Sequence, residues 1–223
     1  MTLLLVAHGT REPSGRAVVS QIAAGHADRV DAPVVVGYAD VCQPTVAEAL
    51  STVDGPTVVV PAFLASGYHV RADVPAQLAE SGRTDAVLTA PLGPDTSVVT
   101  AMADRLREAG WRYGDGIVMA AAGSRDPRAT ADVHRAATRL AALTGTPVPV
   151  AYITANPHVP TAVAAARTRY RRVAVASYLL APGRFHNQLT DAGADTVAAP
   201  LGPHPAILTA LATRYHTATR QAA

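Results

Sequence analysis

The stretch Leu4-Leu5-Val6-Ala7-His8-Gly9-Thr10-Arg11-Glu12-Pro13 decides the fold, because it returns as Val118-Met119-Ala120-Ala121-Ala122-Gly123-Ser124-Arg125-Asp126-Pro127. In each copy an apolar run ends at a glycine and then a proline, the pattern of a buried strand feeding the first turn of a helix. A second pair follows in register, Ala90-Pro91-Leu92-Gly93-Pro94 against Ala199-Pro200-Leu201-Gly202-Pro203. The chain is therefore a doubled unit. Ala122 stands where His8 stood, so a titratable group is kept in one copy only, and chemistry is expected in the N-terminal half.

Outward from that pair, short β-branched runs alternate with longer helical stretches. Strands are predicted near Leu3 to Ala7, Pro33 to Ala39, Thr57 to Ala62 and Ala86 to Thr89, and helices near Ser14 to Arg29, Thr45 to Thr52, Val74 to Glu80 and Thr96 to Ala109. The second half repeats the order, with strands near Gly116 to Ala121, Val148 to Thr154, Val173 to Tyr178 and Thr196 to Ala199. Its helices are predicted near Arg128 to Leu143, Thr161 to Tyr170, Arg184 to Ala192 and Pro205 to Thr217. Valine runs without polar alternation indicate strands covered on both faces, hence parallel sheets wrapped by helices. The predicted fold class is α/β: two similar lobes, residues 1–112 and 113–223, each a small parallel four-stranded sheet flanked by helices. The first lobe is expected to carry the site, and the second, a degenerate repeat, to close a cleft over it.

Composition narrows the class. Hydrophobic residues make up 49% of the 223, yet runs such as Val58-Val59-Val60 fall far below the roughly 18 residues a membrane span needs. No cationic leader precedes the first apolar run, so a cytoplasmic protein without signal peptide or anchor is expected. A lone Cys42 cannot form an internal disulfide, in keeping with a reducing compartment. All 19 basic residues are arginine, but the net charge is only +2 and aromatics are 4%, too little for a nucleic-acid partner. The patch Arg167, Arg169, Arg171 and Arg172 falls at a predicted helix end, where it complements the helix dipole.

Parallel βαβ sheets hold ligands outside the carboxyl ends of their strands, where strand order reverses. His8 directly follows the first strand, Asp40 closes the second, and His69 lies in the loop after the third. With the order 2-1-3-4 these three ends are neighbours, so two imidazoles and a carboxylate are expected at one crevice. Such a set suits iron, cobalt, nickel or zinc. A phosphate cradle is the rival for His8-Gly9-Thr10-Arg11, but the glycine spacing is wrong and a chain without lysine cannot supply the lysine of a P-loop. Asp73 is expected to cap the helix that follows, ahead of an alternative role orienting His69. Cys42 is expected to be a small packing residue.

The combination His8-Gly9-Thr10-Arg11-x-Pro13, Pro44-Thr45-Val46-x-Glu48-Ala49 and Pro61-x-Phe63-Leu64-x-x-Gly67-x-His69-Val70-x-x-Asp73-Val74-Pro75 resembles the CbiX/SirB family of sirohydrochlorin chelatases, in its long, two-lobed form. The resemblance implies a chelatase-like fold and insertion of Co²⁺ or Fe²⁺ into a sirohydrochlorin-type tetrapyrrole, on the way to cobalamin or siroheme, without a nucleotide. It implies that His8 and His69 handle the metal, with Asp40 where relatives place a glutamate. Around the ring, Gly9, Thr10, Arg11, Ser66, Gly67, Arg71 and His186 are the expected contacts, the arginines because guanidinium pairs with carboxylates through two hydrogen bonds. His186 is expected to be a substrate contact or a relic of the duplicated His69.

A second reading of the same cleft is a metallochaperone or tetrapyrrole carrier without turnover. Because one chain holds both lobes, a monomer is preferred.

Overall fold

The computed structural model describes residues 1–222 and contains the α/β unit twice. The first half runs β1 (Thr2–Ala7), α1 (Pro13–Val30), β2 (Val34–Tyr38), α2 (Val46–Ser51), β3 (Thr57–Pro61), one π-helical turn (His69–Asp73) leading into α3 (Val74–Glu80), β4 (Ala86–Leu88) and α4 (Thr96–Glu108). The second runs β5 (Gly116–Ala121), α5 (Pro127–Thr144), β6 (Val150–Tyr152), α6 (Val159–Arg167), β7 (Val173–Tyr178), α7 (Arg184–Asn187), β8 (Thr196–Val197) and α8 (Pro205–Gln221). Both sheets are parallel, as the sequence predicts, and their orders, β2-β1-β3-β4 and β6-β5-β7-β8, are the one assumed in making the ends of β1, β2 and β3 neighbours.

The apolar runs form strands because both of their faces find cover. In the first sheet Leu3, Leu5, Val58 and Val60 face a core shared with α1 and α4, while Leu4, Val6 and Val59 face the one formed with α2 and α3. Each of these side chains is at most 1% exposed, and full burial of one leucine stabilises by about 1.5–3 kcal/mol. The shared core is continuous across the molecule: it also takes in Met119 and Ala176 from the second sheet and Leu140 from α5. The last helix of each half reaches the sheet of the other, α4 packing on β7 and α5, and α8 on β3 and α1.

That crossing explains why the second motif pair is duplicated. Arg105 of α4 donates to the Leu201 carbonyl, and Arg214 of α8 donates to the Pro91 carbonyl at 3.2 Å and pairs with Asp95. Each proline-leucine-glycine turn thus receives a guanidinium from the opposite half.

Four predicted elements change. The strand expected over 148–154 shrinks to Val150–Tyr152, since Pro147 and Pro149 have no N–H to donate. The helix expected over 184–192 stops at Asn187, whose carbonyl is taken by the Thr190 hydroxyl. The last helix extends to Gln221, and the segment after Tyr68 is a π-helical turn rather than a loop.

Candidate active site

A cleft of about 900 Å³ opens between the carboxyl ends of the two sheets and is lined from both halves. His8, at the end of β1, reaches it through a turn that only glycine fits: Gly9 has φ +97°, and a Cβ there would lie 2.0 Å from the Asp40 carbonyl oxygen. Gly123 repeats this with φ +101° beside Ala122. The turn is thus part of the architecture in both copies, whereas the imidazole is present in one only.

His69 arrives from the other side, on the π-helical turn. Its ring centroid lies 4.5 Å from that of His8 at an interplanar angle of 73°. The Phe63 ring stacks on His69 at 6.1 Å and 25°. The turn sets Asp73 four residues on, on the same face as His69, and π-helical turns are frequent at functional sites. His69 Nδ1–H donates to Asp73 Oδ2 at 2.8 Å. A carboxylate can only accept, so the bond fixes His69 in the tautomer whose Nε2 keeps its lone pair. Asp73 is held in turn by Gln77, whose amide donates to Asp73 Oδ1 and to the Ala39 carbonyl while its oxygen accepts from Val46 N–H. Burial pushes the Asp73 carboxyl up, but the hydrogen bonds from His69 and Gln77 and the favourable electrostatic interaction with the two imidazoles outweigh it, and the group sits below its ordinary value. The expected helix cap is absent, for the Asp73 side chain makes no capping bond. Its carboxylate is spent on His69 instead.

The His8 ring has the same polarity. Its Nδ1 is 3.3 Å from the Gly9 carbonyl, an acceptor, which leaves Nε2 with no protein partner among the described residues. Two imidazole lone pairs therefore share one part of the cleft.

The third expected donor does not join them. Asp40 is exposed, lies outside the cleft lining, and turns Oδ1 back onto Val41 N–H at 2.7 Å. Among the described residues no set of three histidine, cysteine or acidic side chains is grouped to hold a metal ion. Asp40 contributes through its backbone: its N–H donates to the His8 carbonyl at 3.0 Å, as Thr154 N–H does to Ala122 in the second half. Cys42 donates to the Thr10 carbonyl and is only partly buried, a brace for the His8 loop.

Of the expected ring contacts, Gly9, Thr10, Arg11, Gly67 and His186 line the cleft. Ser66 and Arg71 do not. The Ser66 N–H is committed to Asp132 at 2.8 Å and the Arg71 guanidinium to Asp126 at 3.2 Å, both across the two halves. His186 Nε2 is 3.2 Å from the Ala198 carbonyl, so one of its nitrogens is engaged within its own half. The sequence reading missed Arg184, Tyr68 and Phe185. Tyr68 (69% exposed) and Phe185 (39% exposed) stand at the cleft rim as large apolar groups in water, and an exposed aromatic beside each half's histidine is the signal that would have found them.

A family model described as CbiX matches residues 2–109 and again 116–218. The chain belongs to the CbiX family. Curated relatives of this CbiX chain are about half its length: it is 33% identical over 139 residues to the sirohydrochlorin cobaltochelatase of Methanopyrus kandleri, covering 49% of this chain and 96% of that protein. To the sirohydrochlorin cobaltochelatase of Methanothermobacter thermautotrophicus it is 29% identical over 130 residues, covering 48% and 91%. The whole two-lobed fold matches SirB from Bacillus subtilis with Fe³⁺ at a TM-score of 0.83, with 21% identity, 97% of this chain and 95% of that one covered. It also matches the CbiX described as the terminal enzyme of siroheme biosynthesis in denitrifying bacteria at 0.75, with 24% identity and 98% and 99% covered. These structural likenesses establish the two-lobed chelatase-like α/β fold predicted from the repeat.

Proposed function

We propose that this CbiX-family chain is a tetrapyrrole chelatase that inserts Co²⁺ or Fe²⁺ into sirohydrochlorin, and that His8 and His69 carry the reaction. The observation that supports this most is the pair of imidazoles 4.5 Å apart, both lining a cleft wide enough for a large ligand. Curated relatives named sirohydrochlorin cobaltochelatase make cobalt the first metal to test.

Insertion asks two things of a protein. The hydrated ion must lose water before ring nitrogens replace it, and two ring N–H protons must leave. Neutral imidazoles meet both needs, since an Nε2 lone pair can hold a borderline divalent ion or accept a proton near neutral pH. Asp73 keeps the His69 lone pair available, and its negative charge offsets that of the incoming ion. Asp40 acts through the shape of its loop rather than as a ligand. The apolar walls, including Phe63, Val19 and Val133, accept the flat ring, while Arg11 and Arg184 at the lining meet its peripheral carboxylates. The first lobe, residues 1–112, supplies the histidines; the second, 113–223, closes the cleft. The ring's contacts from the second lobe include His186. The reaction takes place in the cytoplasm, in a monomer, with no nucleotide, nucleic acid or membrane taking part. No described helix is long and apolar enough to cross a bilayer.

Protein, sirohydrochlorin and Co²⁺ or Fe²⁺ mixed anaerobically should show the absorbance change of the macrocycle accelerated with multiple turnovers. His8→Ala and His69→Ala should each abolish the acceleration. A change that stops at one equivalent per protein would reject the chelatase in favour of a carrier.

A further inference from the structure

The loop from Ala62 to Tyr68 hands His69 to the cleft, and two of its backbone groups are taken by side chains of the second lobe. Tyr178 Oη donates to the Leu64 carbonyl at 2.6 Å, and the Asp132 carboxylate accepts from Ser66 N–H at 2.8 Å. Both side chains are buried, 3% and 2% exposed. Asp132 also receives Arg135 of its own helix.

The two copies of the unit differ at both positions. α1 and α5 are each 18 residues and each open on a proline, so the sixth position of α5, Asp132, corresponds to Val18. Counted from the first residue of β7 and β3, Tyr178 corresponds to Ala62. Among the described residues, no side chain of the first lobe hydrogen-bonds the matching loop after β7. The lobe that has alanine in place of the first histidine thus carries two polar groups its twin lacks, and spends both on the twin's histidine loop.

We propose that Asp132 and Tyr178 are positioning residues for His69: the second lobe acts as a clamp that fixes the loop of the first at Leu64 and Ser66, and so sets the spacing between the two imidazoles. Burial, followed by the charge of Asp132, pushes the Tyr178 phenol far up, so its hydroxyl is a donor throughout the working range. The Asp132 Oδ2 is the complementary acceptor for Ser66 N–H. A loop pinned at one acceptor and one donor loses the freedom to carry His69 away from His8, and placement errors near 1 Å are enough to slow chemistry strongly.

The kinetic arm of the test rests on the chelatase reading; the exchange and metal arms do not. In the full chain, Asp132→Val, which installs the first lobe's residue, and Tyr178→Phe, which removes only the hydroxyl, should each raise amide hydrogen exchange across 62–69 by about tenfold or more while the strands stay protected. Each should weaken Co²⁺ binding, titrated alone by its visible absorption, and lower kcat by about tenfold, with KM for the tetrapyrrole moved less than about twofold. Asp132→Asn, which keeps an oxygen acceptor for Ser66, should recover most of the loss. If Asp132→Val does not fold, Tyr178→Phe decides. Wild-type exchange across 62–69 in a folded variant would overturn the clamp, as would faster exchange with Co²⁺ affinity unchanged. A wild-type protein that binds Co²⁺ but never inserts it would sink the chelatase reading alone.

Discussion

Replacing Asp73 with alanine tests the geometry at the joint that orients His69. The 2.8 Å bond from His69 Nδ1 joins side chains 28% and 24% exposed, so it is partly shielded from water without being buried. A hydrogen bond to a charged group contributes about 1.5–3 kcal/mol, and partial exposure puts this one near the lower end, at about 1.5–2 kcal/mol. At about 1.4 kcal/mol per decade, losing it should lower Co²⁺ affinity and the insertion rate by about 10- to 30-fold, because His69 then samples the wrong tautomer and other rotamers. Asp73→Asn keeps an oxygen for Nδ1–H but no charge, and should cost about 3- to 10-fold. The assay is anaerobic insertion followed by absorbance, corrected for the uncatalysed rate, beside a Co²⁺ titration of the same samples. Since Gln77 loses a partner too, thermal melting should fall slightly. An Asp73→Ala protein within twofold of wild type in both rate and affinity would refute the idea that the carboxylate holds the imidazole.

Gly9→Ala should destabilise the fold by about 2–5 kcal/mol, combining about 1–2 for the left-handed backbone with about 1–3 for the overlap against Asp40, read as a lower urea midpoint at unchanged slope. His26 of α1 is fully buried against Tyr215 of α8, and among the described residues neither ring nitrogen has a well-formed hydrogen bond; burial and then the charge of His216 push its pKa below the ordinary value against a weaker opposing pull from the Leu208 backbone. Below about pH 6.5 the unfolded chain takes up a proton that the folded chain resists, so this group removes stability as pH falls, by at most about 1.4 kcal/mol per unit. Denaturant curves at pH 7.5 and 5.5 should therefore differ more for wild type than for His26→Leu; equal differences would discard the account. Arg214→Leu strips partners from Pro91 and Asp95 and should cost about 1–3 kcal/mol, measured by the same curves, with the histidine pair undisturbed.

The parallel pairing and the doubled architecture were legible in the chain, because covered β-branched runs and proline-led helices are local patterns that both copies repeat; the strand order was assumed from the common form of such sheets, and the structure has it. His8 and His69 were legible for a related reason: parallel sheets put ligands at the carboxyl ends of their strands, and the residues after β1 and β3 could be counted off. Tertiary structure decided what each side chain does with its polar atoms. Asp40 and Asp73 are both aspartates a few residues from a strand or helix end, and while the sequence offered His69 as one of two partners for Asp73, nothing in their neighbourhoods chose it over the helix cap or said that Asp40 folds back on Val41. The helical turn settled it by setting positions 69 and 73 four residues apart on one face. Arg71 and Ser66 read as ring contacts along the chain, yet their partners, Asp126 and Asp132, lie in the other half, about sixty residues away. A linear pattern records which groups want partners. Only the packing of one lobe against its twin assigns them, because hydrogen bonds are short, directional and indifferent to sequence distance.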